Sequence, residues 1–428
     1  MLLRLYSLLM ALLVPAVCVR LLWRGRKEPL YATSLGERFG WYGGEADAGV
    51  APVWVHAVSL GETRAAAALV DALRRIDPDL RLLLTHGTAT GRAAGAALLQ
   101  PGDRQRWLPW DSGGATRRFL AHHRPRIGVL METEVWPNLL HAARAAGVPM
   151  VLANARLSAR SLRRGERLGA LIRPQAQTLA LVLAQTAADA ERLRAFGGRE
   201  VEVCGNLKFD MAPAPGLLAM GRRWRDALQR TVVLAASTRE GEEGTLLAAW
   251  ASQPAPRPLL LIVPRHPQRF DEVARLVQGT HLTLARRSGW GELPPETAAA
   301  ADVWLGDSMG ELALYYALAQ VALLGGSFEP LGGQNLIEAA ACGCPVLMGP
   351  HTFNFSQAAE LALQAGAARR VATMAQAVAL ACERVEPQAR REQFARCLAF
   401  AAEHRGAAER MAKRIGGLLA APAAGRSA

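Results

Sequence analysis

The chain has 428 residues, of which 51% are hydrophobic and 20% are charged, and this composition excludes an intrinsically disordered protein. Its length exceeds that of one ordinary hydrophobic core, so two domains are expected. The formal net charge of +13, to which a general preference for arginine over lysine contributes, favours anionic partners such as lipid head groups or phosphorylated substrates, and without an RRM or zinc-finger pattern no nucleic-acid partner is expected.

The N-terminal apolar segment, residues 5–22, is near the lower length limit for a helix that spans a membrane. It has no clear small-residue cleavage site, which argues against a removed signal peptide. The alternatives are a spanning anchor, a helix lying in the membrane interface and a buried helix of a soluble protein. Residues 1–30 are therefore predicted to be a membrane anchor, and Arg24, Arg26 and Lys27 after the segment place the body on the cytoplasmic side of the membrane.

Apolar runs typical of buried strands alternate with helix-like segments along the rest of the chain. They cover residues 53–58, 82–85, 126–131, 148–153, 179–184 and 202–204 in the first half, and 231–236, 259–263, 281–284, 303–305, 321–324 and 346–348 in the second. This alternation implies parallel sheets covered by helices on both faces. The proline- and glycine-containing residues 211–216 predict an interdomain linker.

The predicted fold is therefore α/β, with two doubly wound, Rossmann-like domains, residues 31–212 and 213–420, that face a cleft. Ligands of such sheets bind beyond the carboxyl ends of the strands. Polar residues that follow the predicted strands are therefore the first candidates for a functional site.

The most informative stretch is residues 325–338, Gly-Gly-Ser-Phe-Glu-Pro-Leu-Gly-Gly-Gln-Asn-Leu-Ile-Glu, which joins a predicted strand to a predicted helix. Its glycine pairs let the backbone approach a ligand closely. The helix start offers free N–H groups and a positive dipole end, which suit a phosphate. Glu338, in the first turn, is placed to accept hydrogen bonds from ribose hydroxyls, so the stretch predicts a nucleotide-sugar site.

Glu62 follows the first predicted strand in the sequence Ser-Leu-Gly-Glu, residues 59–62. An ionised carboxylate at a strand end suits a general base that takes a proton from an acceptor hydroxyl. A helix-capping glutamate is an equally good interpretation of the position, and the helix dipole is then expected to lower its pKa. Both interpretations stay open at this point.

Glu132 and Glu134 follow another predicted strand, and the sequence alone does not decide which one faces a substrate. Lys208 closes the first half of a chain that otherwise uses arginine almost everywhere. A compact ammonium group at a strand end suits the stabilisation of developing phosphate or carboxylate charge, although a surface lysine is the alternative.

Three further turns follow predicted strands, at residues 237–243, 264–270 and 306–312. Their hydroxyls, N–H groups and arginines suit a phosphate or a nucleobase, and ordinary helix capping explains them equally well. Asp77 and Asp79 flank a proline at the opposite sheet end and are interpreted as a turn. No other acidic or histidine cluster in the sequence has the spacing of metal ligands, so no metal is expected.

Taken together, these motifs resemble those of the 3-deoxy-D-manno-octulosonic acid (Kdo) transferases, the lipid A Kdo transferase family, which has a GT-B fold. The resemblance covers most of the chain and rests on residues 23–27, 36–38, 59–62, 131–134, 136–138, 154–161, 207–210, 264–267, 325–338 and 349–355. One departure is Gln334, where the family often has histidine. This difference concerns a local hydrogen bond and not the assignment.

The resemblance implies a GT-B-like fold and transfer of Kdo from CMP-Kdo to a lipid A precursor, lipid IVA, in lipopolysaccharide core biosynthesis. It further implies inversion at the anomeric carbon and no metal or other cofactor. Glu62 is then the general base, and Glu132 and Lys208 stabilise the transition state. The implied CMP-binding residues are Pro264, Arg265, Met309, Gly310, Glu311, Asn335, Leu336, Ile337 and Glu338.

Two other functions compete with this one. A nucleotide-sugar epimerase on the same fold needs no membrane anchor, so the N-terminal apolar segment argues against it. A membrane-bound protein that binds a nucleotide without turnover is the other alternative. The number of Kdo residues added and the oligomeric state do not follow from the sequence.

Overall fold

The structure, a computed structural model, describes residues 1–43 and 50–420, with Arg164 described by its backbone alone. The chain divides into two compact units. The first comprises Met1–Met211 together with the segment that starts at Arg405, and the second comprises Ala212–His404.

The first unit is built on a parallel sheet of seven strands. Their bounds are β1 (Val53–His56), β2 (Leu82–His86), β3 (Arg104–Trp107), β4 (Ile127–Met131), β5 (Met150–Ala155), β6 (Leu181–Ala184) and β7 (Val201–Val203). Their order is β3-β2-β1-β4-β5-β6-β7, and all six pairings are parallel. The strand order reverses between β1 and β4, which makes the carboxyl ends of these two strands the expected ligand position.

Helices cover both faces of this sheet. They are α1 (Leu2–Leu12), α2 (Val14–Gly25), α3 (Leu60–Ile76), α4 (Ala89–Gly95), α5 (Gly113–His123), α6 (Pro137–Ala145), α7 (Ala159–Glu166), α8 (Gly169–Ala176) and α9 (Ala187–Phe196). The central strands are buried along their whole length, as expected for parallel strands covered on both faces. Pro137 is the first residue of α6, a position at which proline is favoured because no N–H donor is needed there.

The second unit repeats this arrangement. Its strands are β8 (Val232–Thr238), β9 (Leu259–Pro264), β10 (Leu284–Arg286), β11 (Val303–Leu305), β12 (Val321–Leu324), β13 (Val346–Met348) and β14 (Ala368–Arg370). They form a parallel sheet in the order β10-β11-β9-β8-β12-β13-β14. Here the order reverses between β8 and β12.

The remaining helices complete both units. They are α10 (Pro215–Leu228), α11 (Glu242–Ala251), α12 (Phe270–Gln278), α13 (Glu296–Ala299), α14 (Leu312–Leu318), α15 (Leu336–Ala341), α16 (Ser356–Gln364), α17 (Met374–Cys382), α18 (Pro387–Glu403) and α19 (Ala407–Ala420). Two parallel doubly wound sheets agree with the predicted α/β class.

The last helix, α19, belongs to the first unit, whereas the predicted second domain, residues 213–420, included it. Met411 and Ile415 of α19 are fully buried in the core of the first unit, beside Leu69 and Leu73 of α3. The apolar face of α19 therefore completes the first unit. The division of the chain before Ala212 lies one residue from the expected boundary.

Most predicted strands are present, and the differences fall at sheet edges. The edge strands β3 and β14 were not expected, because their sequences, Arg-Gln-Arg-Trp and Ala-Arg-Arg, contain no apolar run. Another edge strand, β10, begins where the predicted strand 281–284 ends. Edge strands need less apolar sequence because one side of each is not covered by a neighbouring strand.

The N-terminal apolar segment forms two helices that meet at Leu13, with Pro15 in the first turn of the second. Among the described residues no single helix is long and apolar enough to cross a membrane. Helices α1 and α2 satisfy the length and composition criteria only together, as a pair bent by 45°.

Candidate functional site

Glu62 lies in the first turn of α3, beside the point where the first sheet reverses its strand order. Its carboxylate accepts hydrogen bonds from the Val58 N–H at 2.8 Å and the Ser59 hydroxyl at 3.1 Å. The Ser59 hydroxyl in turn accepts a bond from the Glu62 N–H at 3.4 Å. This reciprocal pattern is a variant of the capping box, in which the carboxylate accepts from the N–H of Val58, the residue before the N-cap Ser59. The capping interpretation of Glu62 is thus confirmed, while its role as a base stays a prediction.

The pKa of Glu62 is raised, contrary to the expectation from the helix dipole. Burial of the carboxyl group is the largest cause, and the charge of Glu132 adds to it, whereas hydrogen bonds from Val58 and Ser59 and the charge of Lys208 oppose it. The dipole argument failed because the sequence does not show how far the carboxyl group is removed from water. A higher pKa makes the ionised form a stronger base.

Glu132 lies immediately after β4, on the other side of the strand-order reversal. Its carboxylate is 3.4 Å from the Lys208 Nζ and 3.1 Å from the Arg156 Nε. The backbone of Glu132 is left-handed, with φ of +58°, and its N–H donates to the Ala153 carbonyl at 2.9 Å. The structure therefore brings together Glu132 and Lys208, which sequence reasoning had placed in one site.

Lys208 is held by the backbone of the 3-10 turn Leu207–Asp210. The Leu207 N–H donates to the side-chain carbonyl of Asn154, and the Lys208 N–H donates to that of Asn206, both at 3.0 Å. Asn154 is fully buried, at the carboxyl end of β5. The turn is thus fixed to the same edge of the sheet as Glu132.

Glu134 occupies a different environment from Glu132, a distinction that the sequence did not provide. Burial and the nearby charge of Glu62 raise the pKa of Glu134 to about 7. Glu132 is instead paired with two cations. The two carboxylates therefore differ in their partners: Glu132 forms ion pairs with Lys208 and Arg156, whereas Glu134 is protonated more readily because of burial and the charge of Glu62.

Arg156 belongs to the motif 154–161, but the sequence did not predict a role for it. It follows β5, and its side chain is 45% exposed while it contacts Glu132. The signal that identifies it is the same rule that found Glu132, namely a charged residue directly after a parallel strand.

In the second unit, Pro264 is the last residue of β9 and is buried. Arg265 follows it and is exposed, while its N–H donates to the Thr238 carbonyl at 3.0 Å. The pair thus presents a cationic side chain beyond a strand end, with its backbone tied to the neighbouring strand β8.

The turn after β11 supplies Met309, Gly310 and Glu311. Met309 is 68% exposed, and Gly310 has φ of +83°, which favours glycine. The Glu311 carboxylate accepts hydrogen bonds from Arg287 at 2.7 Å, from Tyr315 at 3.0 Å and from Ser308. Glu311 therefore stabilises its own turn, and Met309 and Gly310 are the more accessible members of this predicted site.

Asn335 precedes α15, and its side-chain oxygen accepts a hydrogen bond from the Ile337 N–H at 3.1 Å. The side chains of Leu336 and Ile337 are each 1% exposed. Glu338 lies in the first turn and is partly buried. Leu336 and Ile337 are therefore packing residues, which leaves Asn335 and Glu338 as the accessible side chains of this predicted segment.

The glycine loop, residues 325–333, packs closely against neighbouring segments of the second unit. The Glu242 carboxylate accepts hydrogen bonds from the Gly326 N–H at 2.7 Å and the Phe328 N–H at 3.2 Å. A Cβ atom at Gly325 would overlap the Ser237 carbonyl. The glycines are thus required where the loop packs against the end of β8, and these N–H groups already have an acceptor.

Among the described residues, no group of three or more His, Cys, Asp or Glu side chains is arranged to hold a metal ion. The expected absence of a metal stays a prediction.

Comparison with known proteins gives one family and a consistent fold. A family model described as "3-Deoxy-D-manno-octulosonic-acid transferase (kdotransferase)" matches residues 33–211. The chain is 49% identical to the 3-deoxy-D-manno-octulosonic acid transferase of Bordetella pertussis, over 95% of this chain and 96% of that protein. It is 35% identical to the enzyme of the same name from Haemophilus influenzae, over 83% and 84%.

Among solved structures, the Anabaena protein Alr3699/HepE in complex with UDP is similar in fold. Its TM-score is 0.57 at 16% sequence identity, over 86% of this chain and 100% of that chain. This similarity supports a GT-B-like fold, with two α/β units in one polypeptide.

Proposed function

Because the chain belongs to the 3-deoxy-D-manno-octulosonic acid transferase family, we propose that it transfers Kdo from CMP-Kdo to the lipid A precursor lipid IVA, with inversion at the anomeric carbon and without a metal ion. The family assigns it to the glycosyltransferases of lipopolysaccharide core biosynthesis. The donor, the acceptor and the stereochemistry are our proposal.

One observation carries the proposed mechanism. Glu62 has a raised pKa and lies at the strand-order reversal of the first sheet, with the Glu132–Lys208 pair contributing to its electrostatic environment. As the acceptor hydroxyl oxygen bonds to the anomeric carbon of Kdo, its proton passes to the Glu62 carboxylate. The bond between that carbon and the phosphate oxygen breaks, and its electron pair leaves with CMP. One base opposite the leaving group gives inversion.

Lys208 and Arg156 supply positive charge near this base, and Glu132 fixes both cations in place. Kdo carries a carboxylate, and its transfer develops negative charge on the departing phosphate. Preorganised cations stabilise such charge without reorganisation during the reaction. We assign this role to Lys208, with Glu132 as its partner.

CMP is assigned to the carboxyl edge of the second sheet. Arg265 presents an exposed cation there, and Met309 and Gly310 present accessible backbone for the base. Asn335 and Glu338 offer polar groups for the ribose hydroxyls. Leaving-group charge can thus be met by protein groups in place of a metal ion.

We further propose that α1 lies on the membrane surface at the cytoplasmic face of the inner membrane. Polar contacts attach one side of the helix to the body: Tyr6 donates to Asp111 at 2.9 Å, and Ser7 donates to Asn138 at 2.6 Å. Large apolar side chains on α1 remain exposed, namely Leu2, Leu5, Leu8, Leu9 and Leu12. A helix attached on one side and apolar on the other suits an interfacial position.

The function is tested by incubating the full chain with CMP-Kdo and a tetra-acylated lipid A precursor, with and without a chelator. Mass spectrometry of the lipid is expected to show added Kdo in both cases, and NMR of the linkage is expected to show inversion. An unmodified lipid would reject the acceptor, and loss of transfer on chelation, with recovery on adding metal, would reject metal independence.

A further inference from the structure

Glu242 occupies, in the second sheet, the position that Glu62 occupies in the first. Each glutamate follows a glycine, Gly61 or Gly241, and lies in the first turn of the helix that follows the first strand of its sheet. Each also lies where its sheet reverses strand order. The two differ in exposure, since Glu62 is partly exposed and Glu242 is 1% exposed.

The Glu242 carboxylate joins the segments that follow β8 and β12. One oxygen accepts from the Arg239 N–H at 2.9 Å and from the Gly326 N–H at 2.7 Å. The other accepts from the Phe328 N–H at 3.2 Å. Burial raises the pKa of Glu242, and these three backbone donors oppose the rise. A carboxylate removed from water in this way is tolerated only with such donors.

The glycine loop connects the hydrogen bonds of Glu242 to the predicted ribose-binding residues, Asn335 and Glu338. The Gly333 N–H donates to the Gly326 carbonyl at 2.7 Å, and the Gln334 N–H donates to the Gly325 carbonyl at 3.1 Å. Gln334 directly precedes Asn335. The position of Gly326, which Glu242 holds, therefore determines where the chain enters α15.

The next residue, Glu243, holds the turn after β9. Its buried carboxylate accepts two hydrogen bonds from Arg269, at 2.7 and 3.0 Å. Arg269 itself is 7% exposed and closes the turn that begins with Arg265. Adjacent acidic residues at the start of α11 thus fix two turns that carry predicted CMP-binding residues.

We infer that Glu242 is a positioning residue of the donor site, which holds the glycine loop and through it Asn335 and Glu338, while Glu243 and Arg269 hold Arg265. Glu242 does not contact CMP. Its three backbone hydrogen bonds set the separation between the strand ends at which the nucleotide binds. This inference rests on the proposed function, because it assumes that the second unit binds CMP.

The test compares Glu242→Gln with the full wild-type chain. An amide has one acceptor oxygen, so its NH2 group must face an N–H group on one side of the former carboxylate. CMP affinity is expected to fall, and the KM for CMP-Kdo to rise, by about tenfold or more, because charge-assisted hydrogen bonds are lost. The KM for the lipid acceptor is expected to stay within about twofold of wild type.

Glu296→Gln is the matched control, because Glu296 is an exposed glutamate in the first turn of α13 in the same unit. This variant is expected to leave both KM values unchanged. Glu242→Asp keeps the charge but shortens the reach. This variant tests the inference if the glutamine variant does not fold. It is expected to bind CMP more weakly and to show faster hydrogen exchange at the amides of Gly326 and Phe328.

The outcomes separate the two proposals. If the wild-type chain binds no CMP in calorimetry, the proposed function fails. If the wild type binds CMP and a folded Glu242→Gln or Glu242→Asp variant binds it equally well, the positioning role is rejected. Equal weakening of the donor and acceptor KM values also rejects it, because a general structural defect would act on both.

Discussion

The Nζ atom of Lys208 lies 3.4 Å from an oxygen of Glu132, although one residue belongs to the turn Leu207–Asp210 and the other follows β4. Their side chains are 17% and 10% exposed, so the ion pair is largely shielded from solvent. Arg156 contacts the same carboxylate, and loss of Lys208 would leave Glu132 with one cation. This arrangement makes Lys208 a fixed positive charge.

Lys208→Met tests the value of this charge. Removal of one preorganised electrostatic contact typically lowers kcat by about 100- to 1000-fold, and we expect a fall of this order with CMP affinity retained. Steady-state transfer and CMP calorimetry provide the two measurements. Lys413→Met, at an exposed position of α19, is the control. A kcat within about threefold of wild type would remove Lys208 from the mechanism.

Glu62→Gln separates the two roles of this residue. Glutamine can replace glutamate in a capping box, so helix α3 should lose less than about 1 kcal/mol. Without the base, transfer is expected to fall by about 100- to 10,000-fold while CMP affinity is retained. Glu191→Gln, at an exposed position in α9, controls for loss of a charge. Transfer at nearly the wild-type rate would reject Glu62 as the base.

Glu134→Gln tests the pair of carboxylates near β4. The folded-state pKa of Glu134 is raised from 4.5 to about 7, so the folded state binds this proton more tightly than the unfolded state. The stabilising effect is full below pH 4.5 and is lost as pH rises to about 7. The free energy of unfolding of the variant, relative to wild type, should therefore increase over this range in urea titrations.

The same substitution should change the pH profile of transfer. Glu134 gains its negative charge near the Glu62 carboxylate only as pH rises through about 7, and the glutamine variant gains none. The kcat/KM profiles of variant and wild type are therefore expected to diverge above about pH 7 and to agree at lower pH. A profile that coincides with that of wild type would show that Glu134 is not coupled to the base.

His56 and His86 make the first unit sensitive to acid. Burial lowers the pKa of His56 to about 3 and that of His86 to about 4, both below the ordinary value of 6.5. Their stabilising effect is full above pH 6.5 and is lost as pH falls towards these values. Each should cost about 2 kcal/mol of unfolding free energy between pH 6.5 and pH 5.

His56→Gln should reduce this pH dependence, measured as the difference between urea unfolding at the two pH values. His281→Gln replaces an exposed histidine and should leave the dependence unchanged. If the free energy of unfolding changed by the same amount between the two pH values in His56→Gln and in wild type, the assignment of the pH dependence to His56 would be contradicted.

Exposed leucines of α1 provide the test of membrane attachment. Leu5 and Leu9 are 63% and 50% exposed, and each leucine buried in lipid contributes about 1.5–3 kcal/mol. The double change Leu5→Ser and Leu9→Ser should therefore weaken binding to vesicles of phosphatidylglycerol and phosphatidylethanolamine by at least about tenfold. Serine at Leu276 and Leu398, exposed leucines of the second unit, is the control, and unchanged binding of the α1 variant would reject the interfacial position.

Much of the fold could be predicted because buried parallel strands require apolar sequence. Strands β11, β12 and β13 have the bounds that their apolar runs indicated. The edge strand β3 could not be found in this way, because the side chains of Arg104, Gln105 and Arg106 are only partly buried. Its place is set by pairing with β2.

The candidate site also has residues that the sequence predicted and residues that it did not. Glu62, Glu132 and Lys208 were identified because charged residues after parallel strands converge at one sheet edge, a rule supplemented by the resemblance to a family. The role of Glu242 could not be predicted, because its partners are backbone groups of a loop 84 residues away. The direction of the Glu62 pKa was also missed, since burial is a property of the folded unit.

Asp210 receives hydrogen bonds from the N–H groups of Gly406 and Ala408, at 2.5 and 2.6 Å. The polypeptide thus leaves the first unit and re-enters it at one shared anchor, from which α19 extends over α3. A gene fragment that stops at Met211 would lack α19 and leave the apolar residues of α3 that α19 covers exposed to solvent, and such a fragment should aggregate when expressed alone. A synthetic peptide of residues 405–420, supplied in trans, should restore its solubility.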